Sequence, residues 1–130
     1  EGYATAATLH EATGLPVAVA FIAGNLEAVA RAFRASDVAR PILIAADNDH
    51  RRERERGPDG RFKTNVGRVK AEAAAAAVGG AVLVPPFSGR EAGTDWNDLR
   101  QEKGSRIFER QLGAALLVAE RELWQRARSA

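Results

Sequence analysis

The run Pro41-Ile42-Leu43-Ile44-Ala45-Ala46, apolar at every position, constrains this chain more than any other feature. It is too short for a stable helix and offers no polar position to turn towards water. A strand of that kind needs cover on both faces, as in the parallel sheet of an α/β domain. It stops at Asp47-Asn48-Asp49. Two shorter runs have the same character, Val17 to Phe21 and Ala81 to Val84, the second closed by Pro85-Pro86.

Helical signals fill the intervals. Tyr3 to about Thr13 is Ala-rich and is stopped by Gly14 and Pro16. Asn25 is placed to cap a helix running to about Ala35, with Leu26, Val29, Ala30 and Phe33 on one face. Asn65 to about Val78 carries the run Ala73 to Ala77 and ends at Gly79-Gly80. A short helix is expected from about Asp95. A longer amphipathic one, about Ser105 to Arg126, has Phe108, Leu112, Ala115, Leu116, Ala119 and Leu123 along one stripe. Helices and strands therefore alternate, which argues for an open α/β sheet whose ligand sits beyond the carboxyl ends of the strands.

The 130 residues have room for one core. Residues 1–104 are read as that core. Residues 105–130 are read as a helix lying on it or on other domains of a larger parent chain. That parent is expected because the sequence opens on Glu1 and has no methionine. With 45% hydrophobic and 28% charged residues, wholesale disorder is excluded. The absence of cysteine excludes disulfides, a thiol nucleophile and a zinc ribbon. Any metal site must then be built from carboxylates, with two histidines at most in support. No apolar run is long enough to span a bilayer and there is no secretory signal pattern, so a cytoplasmic location away from membranes is expected.

Asp47 and Asp49 come first among candidate chemical residues. In an extended or turning segment, positions i and i+2 point to the same side, so both carboxylates can face one point. Magnesium between them would relieve their repulsion; the alternative is a solvated turn in which Asp and Asn bond their own backbone. Asp95 and Asp98 either form a capping box at the start of a helix or add a metal-facing carboxylate, and the two roles are compatible. Glu1 stands before Gly2, which suits a tight turn into a helix.

The stretch His50 to Thr64 holds Arg51, Arg52, Arg54, Arg56, Arg61 and Lys63 against Glu53, Glu55 and Asp59, a surplus of +3 where the whole chain has +2. Beside an acidic pair, such cations suit a nucleotide triphosphate or a nucleic-acid backbone; a self-pairing solvated surface is the alternative. His50 is read as a loop residue, His10 as structural, and Trp96 and Trp124 as packing residues. No phosphate-loop lysine motif and no nucleophile-elbow serine occurs.

Together these pieces resemble the toprim domain shared by topoisomerases and primases. Glu1-Gly2-Tyr3-Ala4-Thr5-Ala6 is similar to the family's glutamate motif. Ala46-Asp47-Asn48-Asp49 is similar to its paired-aspartate motif, and Gly93-Thr94-Asp95-Trp96-Asn97-Asp98 to the third acidic motif of primase toprims. The resemblance, spanning Glu1 to about Leu99, is strongest to plasmid and phage primases, including conjugation-associated ones.

It implies a small, mainly parallel, Rossmann-like sheet flanked by helices, one strand short because the family's first strand would precede Glu1. It also implies magnesium, with manganese as a substitute, at Asp47, Asp49 and one or both of Asp95 and Asp98. Glu1 would face the metal or act as an acid/base group, so Glu1, Asp47 and Asp49 form the implied catalytic set. The implied activity is nucleotidyl transfer in primer synthesis, with single-stranded DNA template and nucleoside triphosphates engaged through the parent protein. Arg51, Arg52, Arg54, Arg61 and Lys63 are the candidate contacts to nucleotide or nucleic acid. A toprim nuclease, a strand-passage enzyme drawing its tyrosine from another domain (Tyr3 is the only one here) and a non-catalytic binding module remain as alternatives.

Overall fold

In the computed structural model, which describes residues 1–129, the apolar run forms strand β1, Leu43–Ala45. It pairs in parallel with β2, Ala81–Leu83, in the register Leu43 to Ala81, Ile44 to Val82 and Ala45 to Leu83. The ladder continues one bond past each end, with the Ala81 amide donating to Ile42 O (3.0 Å) and the Ala46 amide to Leu83 O (2.9 Å).

Successive side chains of β1 enter different cores, as the two-residue period requires. Ile44 packs with Ala20, Leu26, Ala30, Ala46, Ala71, Ala74, Ala75 and Val78. Leu43 and Ala45 pack against a cluster containing Leu9, Leu83, Phe87, Trp96, Leu99, Phe108, Leu112 and Ala119. Helices α2 (Leu26–Ser36) and α3 (Val66–Val78) supply the first cluster. Helices α1 (Tyr3–Thr13), α4 (Trp96–Lys103) and α5 (Ser105–Ser129) supply the second. The alanines of α3 let that helix lie close against its neighbours, and Ala71 and Ala74 are fully buried.

Local signals set the helix ends. Gly14 (φ 69°) and Gly79 (φ 63°) close α1 and α3 in the left-handed region, where a side chain would be strained. Asn65 caps α3 by accepting from the Arg68 amide. Helix α5 is held to the core by Phe108, Leu112 and Ala119, with Trp96 edge-on to Phe108 at 6.3 Å, and the Arg126 guanidinium donates to Gly80 O. Residue 130 of the segment read as 105–130 lies outside the described residues. No described helix is long and apolar enough to cross a membrane.

Four expectations need correction. Val17 to Phe21 is extended but pairs with no strand, so the described sheet has two strands instead of three. An apolar cavity of about 810 Å³ is lined by Val17, Ala18 and Ala20 together with Pro41–Ala45, and Phe21 adopts φ 66°, which ends an extended run. Asn25 does not cap α2. A 3₁₀ turn, Ala23–Asn25, leads into that helix, and the Asn25 side chain instead donates to Ala20 O (3.0 Å). The strands are three residues each, shorter than their apolar runs, because Pro41 has no amide hydrogen to donate and Val84 runs into Pro85. Trp124 is 69% exposed; it lies past the last α5 side chain that the core buries, Ala119.

Candidate functional site

Asp47-Asn48-Asp49 leaves the carboxyl end of β1, and the middle residue anchors the turn. Asn48 is buried: its Nδ2 donates to Pro85 O (2.9 Å) and Phe87 O (3.3 Å), and its Oδ1 accepts from Asn65 Nδ2 (2.8 Å). Its amide donates to Thr94 O at 2.6 Å. Asn65 then uses its own Oδ1 to accept from the amides of Asp49 (3.0 Å) and Arg68 (3.3 Å). With the middle side chain pinned inward, the alternation of an extended turn directs Asp47 and Asp49 the other way. The α3 amino terminus comes so close that a Cβ on Gly67 would stand 2.7 Å from Asp47 O. The Gly67 amide lies 3.4 Å from Asp49 Oδ2, and a helix amino terminus favours a carboxylate there.

Asp95 and Asp98 form the capping box of α4. Asp95 Oδ1 accepts from the Asp98 amide (2.8 Å), and Asp98 Oδ2 accepts from the amides of Thr94 (2.9 Å) and Asp95 (3.4 Å). Glu1 is held through its backbone, whose carbonyl accepts from the Phe21 amide at 2.8 Å, while its Oε1 is buried without a partner.

The carboxylates act on one another. Burial pushes the Asp47 carboxyl up to about 7, and the charges of Glu1, Asp95 and Asp49 push the same way. The structure therefore gathers Glu1, Asp47, Asp49 and Asp95 into one electrostatic field, with Asp98 turned to the helix amino terminus. Among the described residues no three His, Asp or Glu side chains converge closely enough to enclose a metal ion. The donor set nevertheless fits a hard divalent cation: every donor is a carboxylate oxygen, one is a buried orphan, and the site carries more negative charge than it balances. Replacing Asp98 with Ala should lower unfolding free energy by about 1 kcal/mol, the cost of a lost cap, while shifting manganese affinity no more than about twofold by calorimetry. A tenfold loss of affinity would make Asp98 a ligand.

The basic residues divide into two groups. The Arg54 guanidinium donates to Gly89 O (2.9 Å), and Lys63 pairs with Glu55 at 2.7 Å. Arg51, Arg52 and Arg61 are exposed and make no side-chain hydrogen bond or ion pair among the described residues. His50 is a loop residue, and a buried one: its ring stacks on Phe87 at 6.0 Å and its Nε2 lies 3.3 Å from Gly93 O. Sequence reasoning placed Asn65 only at a helix start and gave no role of their own to Asn48 and Gly67. An asparagine between two aspartates, and a glycine one residue inside a helix start, are the signals that mark them.

An acidic turn leaving a parallel strand, braced by a capped helix and faced by a glutamate at a turn into a helix, defines a class. A family model described as "Toprim domain" matches residues 1–106, and the chain belongs to that family. Among its relatives is a protein named DNA primase TraC from Escherichia coli, 47% identical over 91 residues, covering 70% of this chain and 6% of that protein. A second Escherichia coli protein of the same name is 46% identical over 88 residues, 68% of this chain and 8% of its own length. The chain thus spans less than a tenth of the curated relatives it matches. No solved structure matches it significantly.

Proposed function

We propose that this chain is the toprim domain of a DNA primase and supplies the acidic site for magnesium-dependent nucleotidyl transfer within a longer protein. The gathering of Glu1, Asp47, Asp49 and Asp95 beyond the end of β1, with Asp47 pushed up to about 7, is the observation that carries this proposal. The primase names of two relatives near 47% identity support the choice of reaction.

Asp47 and Asp49, with Asp95 and Glu1 beside them, would hold the cation. When bound, magnesium or manganese neutralises phosphate charge and favours in-line displacement at phosphorus. Glu1, with its unpartnered oxygen at the edge of this field, is placed to accept the proton of an attacking hydroxyl. Arg51, Arg52 and Arg61 are free to meet the triphosphate or the nucleic-acid backbone. Arg54 and Lys63 shape the loop that carries them.

Manganese titration calorimetry tests the site. Wild type should bind, and Asp47→Asn/Asp49→Asn should bind at least about tenfold more weakly, since two of the charged oxygen donors become neutral amides. Equal binding by both proteins would place the cation elsewhere and remove the basis for the proposed reaction.

A further inference from the structure

The basic loop after Asp49 is a built hairpin, and it holds an aromatic side chain that is left largely open to solvent. Arg56 and Phe62 form an antiparallel bridge, closed further by the Lys63 amide donating to Glu55 O (2.8 Å) and the Gly57 amide to Arg61 O (2.8 Å). The reversal is tightened by the Gly60 amide on Gly57 O (3.0 Å) and the Arg61 amide on Asp59 Oδ1 (3.1 Å). Two bonds tie the hairpin's base to the site: the Arg52 amide to Asp49 O (3.0 Å) and the Arg54 guanidinium to Gly89 O (2.9 Å).

On this frame Phe62 is 58% exposed, although the Arg56 guanidinium lies 4.3 Å from the centre of its ring. The same guanidinium donates to Gly60 O (2.6 Å), which holds it in place. The ring is therefore backed on one side by a fixed planar cation while much of it stays open to solvent. The loop's anions are largely committed: Glu55 to Lys63, and Asp59 to the turn. Glu53 lies near the Arg68 guanidinium, and Arg51 and Arg52 feel Glu55 without pairing to it. Unpaired Arg51, Arg52 and Arg61 thus share one hairpin loop with an open aromatic ring.

We propose that this hairpin grips single-stranded nucleic acid, with an unpaired base stacked on Phe62 and backbone phosphates on Arg51, Arg52 and Arg61. The proposal deepens the primase reading and rests on it for the identity of the ligand. An aromatic face favours an unpaired base because duplex bases are already stacked on their neighbours. The hydrogen bonds that close the hairpin mean little ordering is needed on binding.

The test is fluorescence anisotropy of a dye-labelled oligodeoxynucleotide of mixed sequence, titrated with the full chain in EDTA across a series of salt concentrations. Phe62→Ala should weaken binding about tenfold at every salt concentration, with the slope of log K against log salt unchanged. Phe62→Trp, which keeps a stacking face, should restore binding. Arg51→Ala/Arg61→Ala should reduce the slope by about 1.4, the value for two single-strand phosphate contacts. The matching duplex should bind more weakly and ignore Phe62→Ala.

Wild-type affinity in Phe62→Ala, or a duplex bound as tightly as the single strand, would overturn the proposal. Because EDTA removes any cation, Asp47→Asn/Asp49→Asn should bind the oligonucleotide at least as well as wild type. Phe62-dependent binding without manganese binding would sink the metal-site reading and leave the hairpin standing. Manganese binding with no oligonucleotide binding would do the reverse.

Discussion

On the proposed primase reading, Asp49→Asn in the full-length protein that carries this domain is expected to reduce primer synthesis at least about a hundredfold, on the order of 2.7 kcal/mol of transition-state stabilisation. The domain itself should stay folded. The Asp49 backbone is held by Asn65, and its side chain makes only a 3.4 Å contact to the Gly67 amide, which the oxygen of an asparagine can keep. What the substitution removes is a charge in a field of four carboxylates. Radiolabelled primer formation, with melting of the variant as the folding control, reads both effects. Wild-type priming by a folded variant would end the assignment.

The neighbouring Asp47 adds a pH signature. Its ordinary value is 3.8 and its value in the fold is about 7, so the folded protein favours the protonated acid. Its contribution to metal-free stability is fully present below about pH 4, declines as pH rises towards 7 and is gone above that. Melting of the metal-free protein should show Asp47→Asn above wild type at pH 8, with the gap closing as pH falls through 7 towards 4. Manganese affinity of the wild type should run the other way, rising about tenfold between pH 6 and 8 as the proton ceases to compete. A flat profile would show that Asp47 is no ligand.

Gly67→Ala is expected to destabilise the fold by about 3 kcal/mol and to weaken manganese binding with it. The added Cβ would stand 2.7 Å from Asp47 O and 2.9 Å from Asp47 Cβ, and neither atom can move freely. Asn48 ties the turn to Pro85 and Phe87, and Asn65 ties it to α3. Relief must come from backing α3 away, which breaks the bonds that aim the aspartates. Denaturant unfolding measures the first effect and calorimetry the second. A variant within about 0.5 kcal/mol of wild type would mean that α3 does not press on the turn in solution.

Much of the architecture was legible because it is written in short-range periods. The β1 run had to be covered on both faces, and α2 with α3 on one side and α1, α4 and α5 on the other provide that cover. The α1 and α3 ends follow from Gly14, Asn65 and Gly79, whose effects act within one turn. The capping box at Asp95 and Asp98 was visible for the same reason. Val17 to Phe21 misled because β-branched composition says a segment can be extended and nothing about whether a partner lies beside it.

By itself, then, the sequence determined the five helices, the two paired strands and most of the helix ends, and it offered Glu1, Asp47, Asp49, Asp95 and Asp98 as motif residues. Only the tertiary structure decided which of these meet and how they are held. Asn48 and Asn65 are 17 positions apart, and Asn48 reaches Pro85 across 37. No local period encodes bonds of that span, because they form only after helix and strand have packed. The rise of Asp47 to about 7 has the same origin: burial and charges brought in from Glu1 and Asp95 exist only in the assembled fold.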